Sequence, residues 1–271
     1  MVSAVRRGII AALVALTVLA AASFGLWVLW HAAQSHSTAE ECRAGTYTVE
    51  PDQASVASTM VGVVITRDLP ERAAVLVLAA GLQESKLTNL APGDGDLDSV
   101  GVLQQRPSQG WGSDAQLQDI HYATGKFLDA LVKVNGWQAM PLADAIQKVQ
   151  ISIDGSYYAR HEDEAQALSD ALTGKAPAGI TCSFAKPTEV TSAAAVAAAV
   201  VQDLPVSRPT AVAPKVTVPG ASWATAAWFV ANAYRFGIDS VDFSGREWTR
   251  AHGWRTAQAA STTAVVATLH T

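Results

Sequence analysis

Cysteine is scarce in this chain. Its 271 residues include two, Cys42 and Cys182, and two distant thiolates fall short of the four ligands a structural zinc site takes. Positive charge is also sparse. Lys and Arg number 19 against 24 Asp and Glu, a net charge of -5, and no basic stripe lies beyond the extreme N-terminus. This argues against a nucleic-acid partner, which needs a Lys/Arg face to neutralise phosphates. There is no Gly-rich phosphate loop and no GxSxG nucleophile elbow. No internal repeat is evident. His252 and His270 stand alone, and nothing in the sequence fixes His121 or His161 as a base. No metal or cofactor is expected.

Hydrophobic residues are plentiful, at 49%, so a buried core is available. The N-terminus sets the compartment. After the basic "MVSAVRR", Gly8–Trp30 carries no charge, and about 20 apolar residues span a bilayer as a helix. Arg6 and Arg7 keep the first end cytoplasmic, while Trp27 and Trp30 suit the far membrane interface. The expectation is a signal-anchor transmembrane helix over residues 1–31. The lipid bilayer would then be a partner through that helix, in a single-pass cell-membrane protein with its remaining domains extracytoplasmic. A cleaved signal peptide is the alternative, with Ala20 and Ala22 spaced for processing, and would leave the protein secreted. Either way the rest of the chain is exported, where a lone cysteine pair forms a disulfide, Cys42–Cys182.

Residues 32–50 read as a polar spacer. From Pro51 to about Gly174 the pattern is helical. Ala57, Met60, Val61, Val64 and Ile65 share one helix face. The next helix, over 68–87, takes Asp68 as cap acceptor and Pro70 in its first turn. Helices follow over 121–134, from Pro141, and over 162–174, with an irregular Gly- and Asp-rich segment at Ala91–Gly112. The composition then shifts. Residues 183–220 read as an Ala/Pro-rich linker with a helix over 191–204 and an extended strip. Residues 221–271 read as a small α+β module, with a helix stopped by Gly237, a strand and hairpin turning at Ser244–Gly245, and a frayed Ala/Thr-rich tail.

The stretch "GLQESKL" sets Glu84 on the same helix face as Ala73, Val77, Ala80 and Gly81. Desolvation there raises a carboxyl pKa, and a carboxyl kept protonated near neutral pH can donate a proton to a leaving oxygen. A surface glutamate paired with Lys86 or Arg72 is the plainer alternative. Downstream the chain reads "LQESKLTNLAPGDGDLDSVGVLQQRPSQGWG". With its Glu84–Ser85 and Gly101–Val102–Leu103–Gln104 elements, this resembles the soluble lytic transglycosylase branch of the lysozyme-like superfamily. It looks closest to actinobacterial membrane-anchored proteins carrying that domain. The resemblance covers about residues 50–182.

It implies a mainly α fold: a lysozyme-like helical domain over 51–182 with a small hairpin segment, preceded by the transmembrane helix and followed by the α+β module. It implies that Glu84 protonates the glycosidic oxygen of peptidoglycan glycan strands. The substrate itself then quenches the positive sugar, so one carboxylate suffices where other glycosidases use two. Ser85, Gln104 and Gln105 would contact substrate, and Trp111, Tyr157 and Tyr158 could stack on sugar rings, though large rings also build cores. The branch usually carries a Tyr–Asn pair at a later helix. Here "SYYARHEDEA" offers Tyr157 or Tyr158 and no asparagine, so a non-catalytic wall-binding or scaffold protein is the alternative.

Asp94, Asp96 and Asp98 match the start of a calcium loop. Its bidentate glutamate position holds Gln105, so an acidic turn accounts for them better. The C-terminal segment resembles the final part of a domain on actinobacterial wall proteins whose fuller members look like zinc carboxypeptidases. Ala185–Ser222 contains no histidine, which leaves a docking or packing role.

Overall fold

The apolar run after Pro70 forms a helix with no solvent face through most of its length. The computed structural model describes residues 24–25, 40–151, 154–186, 191–257 and 263–271. In it α1 (Pro51–Thr66) is followed by α2 (Glu71–Ser85), then by α3 (Asp114–Leu117), α4 (Ile120–Leu131), α5 (Leu142–Gln150), α6 (Ser156–Ala159) and α7 (Glu162–Leu172). Every residue of α2 from Ala73 to Leu82 is buried. A helix apolar all round must be packed on several sides, and α2 is enclosed by α1, α4, α5, α6 and α7. Its small side chains permit this: a Cβ on Gly81 would lie 2.9 Å from Leu87 and 3.2 Å from Met60. Asp68 does not cap it. That residue is left-handed at φ 50°, and Pro70 occupies the N-cap, where a missing N–H costs nothing.

Strands β1 (Glu41–Ala44), β2 (Tyr47–Val49) and β3 (Ile180–Ser183) form an antiparallel sheet in the order β2-β1-β3. The expected disulfide is present, joining Cys42 and Cys182, which face each other directly across β1 and β3. After β3 come α8 (Ala193–Asp203), β4 (Thr210–Val212), β5 (Lys215–Pro219), α9 (Trp223–Ala231), α10 (Ala233–Phe236), β6 (Ile238–Phe243), β7 (Arg246–Thr249), β8 (Gly253–Thr256) and β9 (Ala264–Leu269). The last six strands make a second antiparallel sheet, ordered β4-β5-β9-β6-β7-β8. The turn at Ser244–Gly245 joins β6 to β7 with both residues at positive φ.

These two sheets overturn the expected mainly α fold: the protein is α+β. The tail expected to fray is β9, set between β5 and β6 with Val265, Ala267 and Leu269 buried. The polar spacer contains β1 and β2, and the expected linker supplies α8, β4 and β5. The pairing of such strands is fixed by partners distant in sequence. The expected membrane span, Gly8–Trp30, lies outside the described residues except at Phe24 and Gly25. Among the described residues no helix is long and apolar enough to cross a membrane.

Residues Glu40–Thr271 are one unit around a continuous core that runs from Cys42 to Leu269. Helix α9 joins its parts. It is buried from Ala224 to Ala231 and contacts α1, α7 and β3 as well as β6 and β9. A polar stripe on α1 does the same. Ser55 and Ser58 share buried hydrogen bonds with Asn232, at 2.7 and 2.8 Å. Thr59 donates to Asp203 at 3.0 Å. Asp203, the last residue of α8, also accepts from Trp228 Nε1 at 2.7 Å and bonds His121 Nε2 at 2.7 Å. A Cβ on Gly62 would stand 2.5 Å from the Asp203 carbonyl oxygen, so glycine is what admits α8 here.

The buried Asp203 yields a stability prediction. The Asp203 hydrogen bond holds the His121 imidazole above its ordinary 6.5, against the opposing effect of burial. Burial of Asp203 disfavours its charge, but hydrogen bonds from His121, Trp228 and Thr59 outweigh this and hold its carboxyl below the ordinary 3.8. The contribution of Asp203 is thus present above 3.8 and lost as pH falls through its folded value. That of His121 is complete below 6.5 and lost as pH rises through its folded value. Asp203→Ala should cost about 3 kcal/mol, because it strands buried donors. In urea unfolding across pH, the gap from the parent protein should be widest at about pH 4–6.5 and narrow on both sides. A gap independent of pH would contradict the assigned pair.

Candidate functional site

Glu84 stands one residue before the end of α2, where the helix stops abruptly. Lys86 and Leu87 both adopt left-handed backbone, φ 55° and 59°. Their N–H groups close onto Leu82 and Gly81 carbonyls at 3.1 and 3.0 Å. Two consecutive non-glycine residues in this region cost roughly 1–2 kcal/mol each, a strain held here by packing: Leu87 is fully buried. The stop places Glu84 at the rim of the core, half-buried, with the following segment folded back beneath it.

That segment includes a tight turn at Gly101–Gln104, closed by Val100 N–H donating to Gln105 carbonyl at 2.9 Å. The Ser85 hydroxyl donates to Val102 carbonyl at 2.8 Å, pinning the turn to the end of α2. On the other side, the Tyr158 hydroxyl donates to Glu84 Oε1 at 2.5 Å. Gln150, the last residue of α5, hydrogen-bonds the same carboxyl and donates to Leu103 carbonyl at 2.9 Å. Burial pushes the Glu84 carboxyl above its ordinary 4.5. The Tyr158 and Gln150 hydrogen bonds pull it part of the way back, leaving a net rise.

The structure separates the two tyrosines. Tyr158 is 2% exposed and reaches Glu84, whereas Tyr157 is 53% exposed and lies under the Arg160 guanidinium at 5.3 Å. Arg160 is held in turn by Gln83 Oε1 at 2.7 Å. Gln104 is left-handed, φ 46°, and its amide turns back onto the Gly101 carbonyl at 2.9 Å. Gln105 is buried and donates inward to the Ala123 carbonyl at 3.2 Å. Trp111 packs at the edge of the core, its carbonyl accepting from Tyr122 at 3.3 Å. Of the expected residues, Glu84, Ser85 and Tyr158 are thus linked directly or through the turn. Gln105 faces the core and Tyr157 faces outward.

Gln150 was not foreseen. Its one signal is position, as the polar end of an amphipathic helix before Ile151, which is left-handed and 82% exposed. Among the aspartates of the acidic loop, Asp98 accepts hydrogen bonds from Ser108 and Arg106, which hold its carboxyl far below the usual range. Asp94 accepts from Ala91 N–H at 3.3 Å. Both behave as turn-forming residues.

Compared with known proteins, the chain matches no family model and no curated sequence. The chemical reading therefore rests on the site itself. Its carboxyl is partly desolvated, inclined to hold a proton, and fixed through one oxygen by a buried phenol. Such a group is suited to general acid catalysis.

Proposed function

We propose that this is an extracytoplasmic cell-wall protein that cleaves peptidoglycan glycan strands with a single catalytic glutamate, Glu84, in the manner of a lytic transglycosylase or muramidase. The observation that carries the reading is the environment of Glu84: half-buried, raised in pKa, with Oε1 taken by Tyr158. With that oxygen occupied as an acceptor, the acidic proton belongs on Oε2, from which it can pass to a glycosidic oxygen. The Glu84–Ser85 and Gly101–Gln104 motifs support the same reading, since Ser85 ties the turn to the glutamate. The disulfide supports an exported location. Incubating the full chain with purified peptidoglycan tests it. Soluble muropeptides, anhydro-ended if the substrate closes on itself and reducing-ended if water attacks, should appear with the parent protein and not with Glu84→Gln.

A pH profile tests the geometry separately. The proton donor must be protonated, so activity falls as pH rises through the Glu84 pKa. The Tyr158 hydrogen bond stabilises the carboxylate; its removal in Tyr158→Phe should raise that pKa and move the alkaline limb to higher pH. An unmoved limb would detach Tyr158 from the acid.

A specific observation also favours the non-catalytic alternative, a wall-binding or scaffold protein. Ser85, Gln104 and Gln105 spend their hydrogen bonds on Val102, Gly101 and Ala123, leaving fewer groups aimed at a sugar. Peptidoglycan binding equal in parent and Glu84→Gln, with no product from either, would establish that alternative.

A further inference from the structure

We infer that a groove between the exposed face of the three-stranded sheet and the end of the six-stranded sheet binds a short peptide through a carboxylate. This goes beyond the glycan-cleaving reading, because none of the residues around Glu84 lines the groove.

The groove measures about 560 Å³ and is lined by Arg43 and Thr181 on one side and by His252, Gly253 and Arg255 on the other. Strand alternation builds its floor. Cys42 and Ala44 point into the core, so Glu41 and Arg43 point out. Across the sheet Ile180 and Cys182 are buried, and Thr181 is turned the same way as Arg43, its register partner. The wall is β8, the last strand of its sheet, as β3 is of the other. The two sheets meet at one locked point. Trp254 Nε1 donates to the Ile180 carbonyl at 2.8 Å, and a Cβ on Gly253 would stand 2.8 Å from Thr181 Oγ1. Glycine at this position lets β8 approach closely, and the Trp254 bond fixes the approach. The groove is therefore held open by backbone-anchored contacts.

Its charge selects the ligand. Arg43 is paired with Glu41, so the surplus positive charge comes from Arg255, with His252 beside it. Neither has an ion-pair or side-chain hydrogen-bond partner among the described residues. Glu247, the register partner of Arg255 on β7, forms no ion pair with it, and the Arg255 guanidinium beside the Arg43–Glu41 pair complements a single negative charge. A dianionic phosphate would be repelled by Glu41. The volume is that of sites for drug-sized ligands, well beyond a lone ion. The rest of the lining, hydroxyl and backbone around Thr181 and Gly253, offers partners for peptide amides. Together these features fit an extended peptide of a few residues, its carboxylate on Arg255 in charge-assisted hydrogen bonds.

Calorimetric titration of the full chain with acetyl-Ala-Ala-Glu-amide, which carries one carboxylate, tests this, beside its neutral counterpart acetyl-Ala-Ala-Gln-amide and inorganic phosphate. The acidic peptide should bind at least tenfold more tightly than either, and Arg255→Gln should remove that preference. Arg255 is exposed, so the variant should unfold at the parent's temperature, which is checked first. Hydrogen exchange should slow in the segments 41–43, 181–183 and 251–255 when the acidic peptide is added. The inference is overturned if millimolar acidic peptide gives neither heat nor protection there, if the neutral peptide binds as well, or if phosphate binds as tightly.

Discussion

Glu84→Gln is expected to reduce release of muropeptides from peptidoglycan by at least a hundredfold while leaving the fold at neutral pH as stable as the parent or more so. The two halves of that result have one cause. General acid catalysis contributes typically 10²–10⁴ in rate, and an amide has no proton of suitable acidity to give. The amide oxygen still accepts the Tyr158 hydroxyl, so the site keeps its shape. Stability follows from the sign of the pKa shift. The folded pKa of Glu84 lies above the ordinary 4.5, so between the two values the folded state holds more protons than the unfolded. Folding is then progressively penalised as pH rises through that window. Gln carries no such penalty. An exposed, unpaired glutamate would give neither the loss of activity nor this gain. Muropeptide chromatography reads the first half and urea unfolding at pH 4 and pH 7 the second. Parent-level cleavage by the variant would remove Glu84 from the chemistry altogether.

Loss of the disulfide should have the largest effect on stability. Cys42 and Cys182 are 140 residues apart, and closing a loop of that length restricts the unfolded chain by about 4–5 kcal/mol in the entropy model. The double variant Cys42→Ser, Cys182→Ser should lose that amount in urea unfolding. Its melting temperature should fall by roughly 10–15 °C, on the scale of a few degrees per kcal/mol for a chain of this size. Reductant should bring the parent to the same curve and leave the variant unmoved. The bond sits in the three-stranded sheet that ties the start of the helical region to its end, so the loss should appear in a single cooperative transition. A loss below about 1 kcal/mol would mean that the unfolded chain is already restricted across this span.

Much of the helical region was legible from periodicity. The faces of α1 and α4, the Pro141 start of α5 and the Gly237 stop after α10 all carry local signals, as does the Ser244–Gly245 turn. These depend on contacts a few residues apart, which a sequence shows directly. The same spacing put Glu84 among small apolar residues at a helix end. It also offered a tyrosine from 157–158 without choosing between them. That choice depends on which side of the short helix α6 faces the core, and burial of Tyr158 decides it.

The six-stranded sheet was not legible as a sheet. Its strands are short, and β4 and β5 lie in a Pro-rich strip. The alternation of β9 is written in Val265, Ala267 and Leu269, but it was masked by Ala/Thr-rich surroundings. The polar stripe of α1, Ser55, Ser58 and Thr59, hints at buried partners without naming Asn232 or Asp203, more than 140 residues away in sequence.

The sequence by itself therefore determined which longer segments coil into helices, which two cysteines pair, and which glutamate stands at an apolar helix end. Tertiary structure alone decided that the protein is α+β, that Tyr158 and Gln150 flank that glutamate, and that a charged groove opens between two sheets. The physical reason is range. Helix periodicity and capping act within a turn or two of chain, whereas strand pairing, desolvation and the facing of charges are settled by neighbours that only the folded chain brings together.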